Sequence, residues 1–346
     1  MSRLGLYCAF SLIGLVSSIV MIFIDSHAYS VPQAAARAVV MTESGSNQIA
    51  GQPSALRLGL HPDAFDPSLD VAQEQGALAD AGLTLEVRYL GWGEIMDSLA
   101  AGGLDVGLMS PVAFLSARAL GHDLRIVAAG TAEQAAAPTR RLVVSDQSGI
   151  QRPGDLAGHW IGVLSLGSPD HLMLQSWLTG QGLDPQSVRF AELPPALLIP
   201  ALVEGRLDAA LLPEPYLSAV TEHGVRALDS PYSELLKEPT SLSYYVADAS
   251  WLSSHGDQAR RFASVIHRVH ADLQADPVAH RAATVGHPAL DQALADRVAL
   301  PSLETHVALS QVQTWANLLP SQQTSAAPGA APLPLVTSDI LFDTVR

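Results

Sequence analysis

Short apolar segments alternate with longer segments of helical periodicity over most of the chain. From residue 55, segments such as "ALRLGL", "LTLEVRYL" and "LDVGLM" have the length and apolar content of buried strands. The segments between them place apolar residues at helical spacing, and the first, residues 67–82, predicts one helix that ends at glycine. Because parallel strands need crossover connections, the alternation predicts βαβ units around mostly parallel sheets.

The alternation is interrupted once and then restarts. Residues 131–139, "TAEQAAAPT", predict a linker, and strand and helix signals resume at residue 140 and continue to residue 212. Beyond residue 212 the sequence mainly predicts helices.

One pattern, L-x-x-G-x-L-D-x-x-L, occurs twice in the chain. Its aspartates are Asp105 and Asp208, and two strand glycines, Gly59 and Gly162, are separated by the same 103 residues. In each copy the glycine ends a helix, and the aspartate near the strand start can bind turn amides. The repetition predicts two similar α/β lobes, although buried parallel strands share Leu, Val and Ala in any protein.

The N-terminus has the features of a secretory signal. Arg3 precedes an apolar run to Ile24, and Ser26 and Ala28 give a small-x-small cleavage pattern, so residues 1–28 predict a signal peptide. The run is long for a signal, and an uncleaved membrane anchor is the alternative. Residues 29–54 are small and polar and predict a flexible lead-in. We therefore expect the folded part in the periplasm.

Composition narrows the function classes. Hydrophobic residues make up 48% and charged residues 15%, which is typical of a chain with a packed core. The formal charge of −15 disfavours nucleic acid as a partner. The single cysteine, Cys8, lies in the predicted signal peptide, so the rest of the chain offers no disulfide or cysteine metal site.

Metal and cofactor motifs are not recognisable either. His267 and His270 lie three apart on a predicted helix, but no carboxylate is placed obviously beside them, and a solvated helix face is favoured over a metal site. We find no P-loop, no G-x-S-x-G and no G-x-G-x-x-G in the right context. We therefore expect no metal, no cofactor and no catalysis.

The candidate site residues follow the predicted strands directly. In an open parallel sheet ligands bind beyond the carboxyl ends of the strands, where helix N-termini favour anions. Small, polar or aromatic residues stand at these places instead of Leu or Val, and the candidates are His61, Trp92, Ser110, Pro111, Gly167, Ser168, His171, Glu214 and Tyr216.

Each candidate also has a structural interpretation. Ser110 and Ser168 can be plain helix caps, and Glu214, between two prolines, can be a solvated loop carboxylate. The aromatic residues Trp92 and Tyr216 can belong to the core or to its rim. In the functional interpretation the serines and nearby amides bind an anion, Glu214 accepts from a donor on the ligand, and the aromatic residues line the walls.

The ordered series of motifs resembles a known family. "LRLGLHP", "LAAGGLDVGLMSP", "DLAGHWIGVLSLGSPDHLML", "LVEGRLDAALLPEPYL" and "DILFDT" are similar to the periplasmic solute-binding proteins of ABC importers. The branch includes the nitrate-, sulfonate- and taurine-binding proteins and the binding proteins for thiamine-pyrimidine precursors. Members commonly have an aromatic residue before the Glu-Pro element, whereas this chain has Leu212 and Pro213 there.

The resemblance implies a two-lobe class II periplasmic binding protein fold, in which each lobe is a mostly parallel sheet flanked by helices and a hinge joins the lobes. It implies lobe 1 over residues 55–132 plus 256–346 and lobe 2 over residues 133–255. It also implies a small-molecule ligand in the cleft between the lobes, a permease in the inner membrane as partner, and a monomer.

We therefore expect an extracytoplasmic substrate-binding protein for a small anionic or zwitterionic organic solute, such as a sulfonate, nitrate or a pyrimidine. One alternative is a cleft enzyme of the same fold, for which His61 with Glu214 is the only candidate acid–base pair. The other is a membrane-tethered ligand-sensing domain that retains its leader.

Overall fold

A computed structural model describes residues 54–61, 64, 66–220, 223–285, 296–319 and 336–344. The predicted signal peptide and nearly all of the lead-in lie outside these residues. None of the described helices is both long and apolar enough to cross a membrane.

The described residues form thirteen strands. In chain order they are β1 Ser54–Leu60, β2 Leu83–Tyr89, β3 Val106–Met109, β4 Leu124–Ala129, β5 Thr131–Glu133, β6 Arg140–Ser145, β7 Trp160–Val163, β8 Arg189–Glu192, β9 Ala209–Pro213, β10 Val225–Asp229, β11 Thr240–Ser241, β12 Tyr244–Asp248 and β13 Ser302–Leu303.

The same part of the chain contains eleven α-helices. They are α1 Pro67–Glu74, α2 Ala77–Asp80, α3 Trp92–Ala100, α4 Pro111–Ala119, α5 Pro169–Gly180, α6 Pro195–Val203, α7 Tyr216–Val220, α8 Pro231–Leu235, α9 Ala249–Ala275, α10 Pro277–Val285 and α11 Leu309–Leu318.

Two five-stranded sheets share one order of strands. The first sheet runs β2-β1-β3-β12-β4 and the second runs β8-β7-β9-β6-β10. In both, the first three strands are parallel neighbours. The fourth strand of each is antiparallel to both of its neighbours. Four of five strands in each sheet therefore run in one direction, as the sequence predicts.

The chain passes from one sheet to the other at a third, three-stranded sheet of order β11-β5-β13. Strand β5 lies between β4 of the first sheet and β6 of the second, and β11 lies between β10 of the second and β12 of the first. The two crossing segments pair with each other, Thr240 with Glu133 and Ser241 with Ala132. In both sheets, the antiparallel fourth strand is the one that the chain forms directly after a crossing.

The 103-residue repeat is present in the packing. A Cβ on Gly59 would lie 2.4 Å from Leu104 Cδ1, and a Cβ on Gly162 would lie 2.8 Å from the equivalent Leu207 Cδ1. The leucine that enters each sheet therefore packs directly on the glycine of the neighbouring strand.

The repeated aspartates also make equivalent contacts. Asp105 Oδ2 accepts a hydrogen bond from the backbone N of Arg57 at 2.8 Å, and Asp208 Oδ2 accepts one from the backbone N of Trp160 at 2.8 Å. Each aspartate therefore binds a backbone amide of the adjacent strand, that of Arg57 in the middle of β1 and that of Trp160 at the beginning of β7. The prediction that the aspartates bind turn amides is wrong, because each carboxylate accepts its hydrogen bond from an amide of the parallel neighbouring strand.

Buried apolar residues join the two sheets into one structure. Helix α9 packs Phe262 and Ile266 in the core beside the first sheet. A larger cluster combines α4, α5 and α11 and includes residues of both sheets. In α11, Trp315 is fully buried and its Nε1 donates to the carbonyl oxygen of Ser241 at 2.9 Å. Helix α11 therefore lies against both α4 and α5.

Two sequence predictions about elements are wrong, and a third is incomplete. The helix over residues 67–82 is divided in two, because Gly76 has a φ of 72° between α1 and α2. The linker 131–139 contains β5, and the region after residue 212 contains β10 to β13 in addition to helices. Short buried strands such as "YYVAD" have no polar alternation that would separate them from a helix segment.

The predicted division into lobes remains a prediction, but one strand bears on its boundary. Residues 244–248 pair with β3 and β4 of the first sheet. The expected boundary at residue 255 assigns them to the second lobe. By strand pairing, the second crossing lies between β11 and β12.

Candidate functional site

Three candidate residues lie at one edge of the first sheet. His61 follows β1, Trp92 begins α3 after β2, and Ser110 follows β3. Since these three strands are parallel neighbours, their carboxyl ends share an edge. The rings of His61 and Trp92 stack with centroids 4.3 Å apart and planes within 2°, and 36% of Trp92 is exposed. The pair gives this edge a flat, partly exposed aromatic surface.

Ser110 and Pro111 begin helix α4. Ser110 Oγ accepts a hydrogen bond from the backbone N of Ala113 at 3.1 Å, so this serine is an N-cap. Pro111 is the first helical residue and is buried. The cap and the proline fix where the helix begins at the edge of the sheet.

Gly167, Ser168 and His171 form one compact turn at the beginning of α5. Ser168 Oγ accepts from the backbone N of His171 at 3.3 Å and donates to the carbonyl oxygen of Ser165 at 2.7 Å. Gly167 has a φ of 76°, and its backbone N donates to His171 Nδ1 at 2.9 Å. The backbone amides of this turn, which the sequence predicted would bind an anion, therefore already donate hydrogen bonds within the turn itself.

The imidazole of His171 is neutral in this setting. Its Nδ1 accepts from Gly167, its ring packs edge-to-face on Phe190 at 4.6 Å, and burial lowers its pKa. A lowered pKa favours the uncharged ring, so His171 adds no positive charge to the edge.

Glu214 uses its carboxylate within the protein. One oxygen accepts from Ser218 Oγ at 2.9 Å and from the backbone N of Ala299 at 3.2 Å, and the other accepts from the backbone N of Ser218 at 3.1 Å. Burial raises the pKa of Glu214, and these donors and Arg297 oppose the rise. Tyr216 begins α7 close by and is half-buried. A contact between Glu214 and a ligand donor remains a prediction, and it would compete with these bonds.

Both carboxyl edges lie beside the crossings between the sheets. Met109, at the end of β3, pairs with Tyr244, the first residue after one crossing. Pro213, at the end of β9, pairs with Arg140, the first residue of the strand after the other crossing. Residues that follow β3 and β9 therefore begin next to the segments that join the two sheets. That they contact one ligand remains a prediction.

A group of polar residues at the first crossing was missed in the sequence. Arg140 Nη1 donates to Glu133 Oε2 at 3.0 Å, and Arg140 Nε donates to Asp170 Oδ1 at 3.0 Å. Tyr232 donates its hydroxyl to the same Asp170 oxygen at 2.6 Å. We call Glu133, Thr139, Arg140, Asp170 and Tyr232 the crossing network.

The crossing network is largely removed from solvent. Glu133 is fully buried, accepts from the backbone N and Oγ1 of Thr139 at 2.5 and 2.6 Å, and has a pKa that burial raises. Burial acts against the charge of Arg140, but Asp170 and Glu133 outweigh it and the pKa of Arg140 is raised. No sequence pattern relates residues 133, 140 and 170, because only the fold brings them together.

The histidine pair that the sequence analysis placed on a solvated helix face is instead half-buried or buried. His270 is fully buried, its Nδ1 lies 2.8 Å from the carbonyl oxygen of Glu304, and its Nε2 lies 3.8 Å from Asp66 Oδ1. Helix α9 packs against α1, α2 and α10 as well as against the first sheet, so the face that carries His270 is covered and not solvated. Within the described residues no group of three or more His, Cys, Asp or Glu side chains is arranged to hold a metal ion.

Residues 50–285 match the model of the NMT1-like family. The chain belongs to the NMT1-like family. Over 227 residues it is 26% identical to the putative aliphatic sulfonates-binding protein of Escherichia coli K12, an alignment that covers 60% of this chain and 67% of that protein. Over 191 residues it is 28% identical to the nitrate import ATP-binding protein NrtC of Synechococcus elongatus, where 51% of this chain but only 28% of the relative is covered.

Solved structures of binding proteins share the fold. The alkanesulfonate-binding protein SsuA of Xanthomonas axonopodis pv. citri, bound to MOPS, superimposes with a TM-score of 0.65 at 19% identity and covers 85% of this chain and 99% of its own. The periplasmic aliphatic sulphonate-binding protein SsuA of Escherichia coli gives 0.63 at 21% identity, with 77% and 92% covered. The predicted periplasmic binding protein fold is confirmed, and a substrate-binding role is supported.

Proposed function

We propose that this member of the NMT1-like family is the extracytoplasmic solute-binding component of an ABC importer. Its ligand is a small anionic or zwitterionic organic molecule, with a sulfonate as the first candidate. The observation that carries the proposal is the duplicated sheet order, in which both carboxyl edges lie beside the two crossings. Two such edges joined by a short double connection can close on a small molecule between them.

The similarity to sulfonate-binding proteins supports the choice of ligand. The relative from Escherichia coli is a putative aliphatic sulfonates-binding protein, and both structural neighbours are sulfonate-binding proteins. In this chain the stacked pair of Trp92 and His61 would line one wall, and Tyr216 would line the other. Ser110 with Pro111, and Gly167 with Ser168 and His171, would place helix N-termini near the charged group of the ligand.

In this role the protein binds its ligand and does not alter it chemically. The candidate acid–base pair joins His61 of one edge with Glu214 of the other, and the Glu214 carboxylate already accepts three hydrogen bonds from Ser218 and Ala299. Mass spectrometry of a sulfonate recovered after long incubation with the protein checks this point, since an enzyme would return an altered molecule.

Location and partners follow from the same role. The predicted signal peptide would deliver the chain to the periplasm, and the structural relative from Escherichia coli is a periplasmic binding protein. A permease of the inner membrane would receive the ligand from the closed protein. A monomer would suffice, because the proposed site needs no second copy.

Thermal denaturation of the protein without its leader tests the proposal. A ligand that binds only the folded state stabilises it by about 2.7 kcal/mol at one hundred times Kd, so a sulfonate should raise Tm by several degrees. The panel should include alkanesulfonates, taurine, nitrate, bicarbonate, amino acids and pyrimidines. A folded protein whose Tm responds to none of them would refute the binding role.

A pair of tryptophans supplies a matched control. Trp92 is 36% exposed at the carboxyl edge, whereas Trp160 is 43% exposed at the beginning of β7, at the opposite edge of its sheet. We expect Trp92→Leu to reduce the ligand-induced shift in Tm and Trp160→Leu to leave it unchanged. Equal effects of the two substitutions would place the ligand elsewhere.

A further inference from the structure

Among the candidate residues only the histidines His61 and His171 can carry a positive charge, and burial favours the neutral form of His171. The segments that follow the parallel strands, residues 61–66, 90–99, 110–117, 164–175, 193–203 and 214–220, contain no Lys or Arg. An anionic ligand would therefore meet helix N-termini and neutral side chains from these segments. A side chain with a full positive charge that contacts the ligand would therefore lie outside these segments.

Arg140 supplies that charge at the edge of the second sheet. It is the first residue of β6 and pairs with Pro213, the last residue of β9. Its guanidinium contacts Asp170, which lies two residues after the Ser168 cap of α5. The arginine thus stands between the turn that begins α5 and the end of β9, where two groups of candidate residues meet.

The guanidinium is fixed and still offers a donor. Nε is bound to Asp170, and Nη1 is bound to Glu133 and to Thr139 Oγ1 at 2.9 Å. The Arg140 side chain keeps 21% of its surface exposed, and among the described residues its Nη2 makes no hydrogen bond. A side chain held by three partners loses little further freedom on binding a ligand, which favours affinity.

The carboxylates of Glu133 and Asp170 determine how much negative charge on a ligand the Arg140 guanidinium can bind. Arg140 carries one positive charge, while Glu133 and Asp170 together carry up to two negative charges. A singly charged anion at Nη2 gains the guanidinium and the N-terminal end of α5. A dianion at the same place gains twice the attraction of Arg140 but also meets twice the repulsion from Asp170, which is only 17% exposed and therefore weakly screened. Its desolvation cost grows with the square of its charge, about fourfold, and a guanidinium already compensated by two carboxylates offsets that cost for a monoanion but not for a dianion.

We propose that Arg140 is a specificity-determining residue that binds the ligand's anionic group, and that its pairing with Glu133 and Asp170 selects monoanions over dianions. This inference rests on the proposed binding role. It divides possible ligands by charge: sulfonates and carboxylates are accepted, whereas sulfate, phosphate and phosphate monoesters are rejected.

Isothermal titration with two probes of similar shape tests the inference. Propanesulfonate is a monoanion at every pH used, whereas propyl phosphate has a second pKa of about 6 and is a dianion at about pH 8 and mostly a monoanion at about pH 5. We expect the wild-type protein to bind propyl phosphate at least tenfold more weakly than propanesulfonate at the higher pH. The ratio should fall at the lower pH, and propanesulfonate at both pH values is the internal reference.

Variants assign the effect to residues. Arg140→Gln should weaken propanesulfonate binding at least tenfold, and Arg141→Gln, which removes the same charge from the next, exposed residue, should change it less than twofold. Asp170→Asn keeps an oxygen that can accept from Arg140 and Tyr232 and removes the negative charge. It should raise the affinity for propyl phosphate relative to propanesulfonate at least fivefold at the higher pH.

The outcomes separate the two proposals. If Arg140→Gln fails to fold because Glu133 is left unpaired, Arg140→Lys, which keeps the charge and loses the fork, should still weaken binding, and the Asp170→Asn result stands by itself. Unchanged propanesulfonate binding in the Arg140 variants, an unchanged ratio of the two affinities in Asp170→Asn, or equal binding of both probes at the higher pH overturns the inference and leaves the binding role intact. Absence of binding to every ligand class of the thermal-denaturation panel refutes the binding role itself.

Discussion

The contact between a strand glycine and the leucine of the neighbouring strand predicts the effect of adding one methyl group. Gly59→Ala would bring a Cβ to 2.4 Å from Leu104 Cδ1, and Gly162→Ala would bring one to 2.8 Å from Leu207 Cδ1. Neither glycine has a positive φ, so the alanine backbone itself is unstrained. The whole cost therefore comes from packing.

The size of that cost follows from the surroundings. Leu104 and Leu207 are 1% and 5% exposed, so neither can move into solvent. Gly59 also faces Ile95 at 3.4 Å, and Gly162 faces Leu198 at 3.2 Å, so each methyl group meets a second buried side chain. Overpacking of this kind costs about 1–3 kcal/mol. We expect the larger loss for Gly59→Ala, because its shortest contact is closer.

Differential scanning calorimetry and urea denaturation measure the effect. For a chain of this size, with an unfolding entropy of about 2.1 cal/mol/K per residue, 1 kcal/mol lowers Tm by about 1.5–2 °C. Gly180→Ala is the control, since Gly180 ends α5 with open space around it and its variant should be neutral or slightly more stable. If Gly59→Ala and Gly162→Ala were as stable as Gly180→Ala, the repeated glycine–leucine contact would not constrain the sheets as argued.

Three further groups of substitutions test other parts of the structure. Asp105→Asn should lower the free energy of unfolding by about 2–3 kcal/mol and Asp208→Asn should lower it by about 1 kcal/mol. The difference is expected because the Asp105 side chain is 6% exposed and that of Asp208 is 26% exposed. Burial lowers the pKa of His267 to about 4, so its neutral form stabilises the fold above about pH 6.5 and this contribution is lost as the pH falls towards 4. His267→Gln should therefore remove about 1–2 kcal/mol of the acid destabilisation, a figure reduced for partial exposure. Ile340→Ala should lower the free energy of unfolding by about 2–4 kcal/mol because Ile340 is fully buried. Asp339→Asn should lower it by less than about 1 kcal/mol, because the ion pairs of Asp339 are exposed.

Urea denaturation at neutral and acidic pH measures all three. Equal losses for the two aspartate variants would mean that exposure does not decide the strength of these contacts. An unchanged dependence on pH in His267→Gln would show that this imidazole does not control acid stability. A larger loss for Asp339→Asn than for Ile340→Ala would mean that charge, and not burial, holds the C-terminal segment.

The sequence carries much of the fold because the repeat has a local cause. The same close contact between a glycine and a leucine forms in both halves, between Gly59 and Leu104 and between Gly162 and Leu207. The two halves of the chain therefore have the same residue types at the same spacing. The strand Tyr244–Asp248 could not be assigned, because its residues are buried without alternation and its partners lie more than a hundred residues earlier. Long-range pairing of this kind leaves no periodic signal.

The candidate site was only partly accessible from the sequence. The rule that ligands bind beyond strand ends directs attention to Trp92 and Ser168, and the stacking of Trp92 on His61 is a contact that the rule could not supply. Arg140 is the first residue of a strand and therefore escapes a search of residues that follow strands. Its relation to Glu133 and Asp170 exists only in three dimensions.

The origin of the antiparallel fourth strands has a consequence for the order of folding. All five strands of the second sheet lie within residues 140–229, so that sheet is a contiguous insertion that can be complete as soon as its own residues emerge. The first sheet lacks the strand between β3 and β4 until residue 248 is available. During vectorial synthesis or export the half that begins the chain is consequently the half that finishes last, and a fragment ending before residue 244 would leave β3 and β4 unjoined.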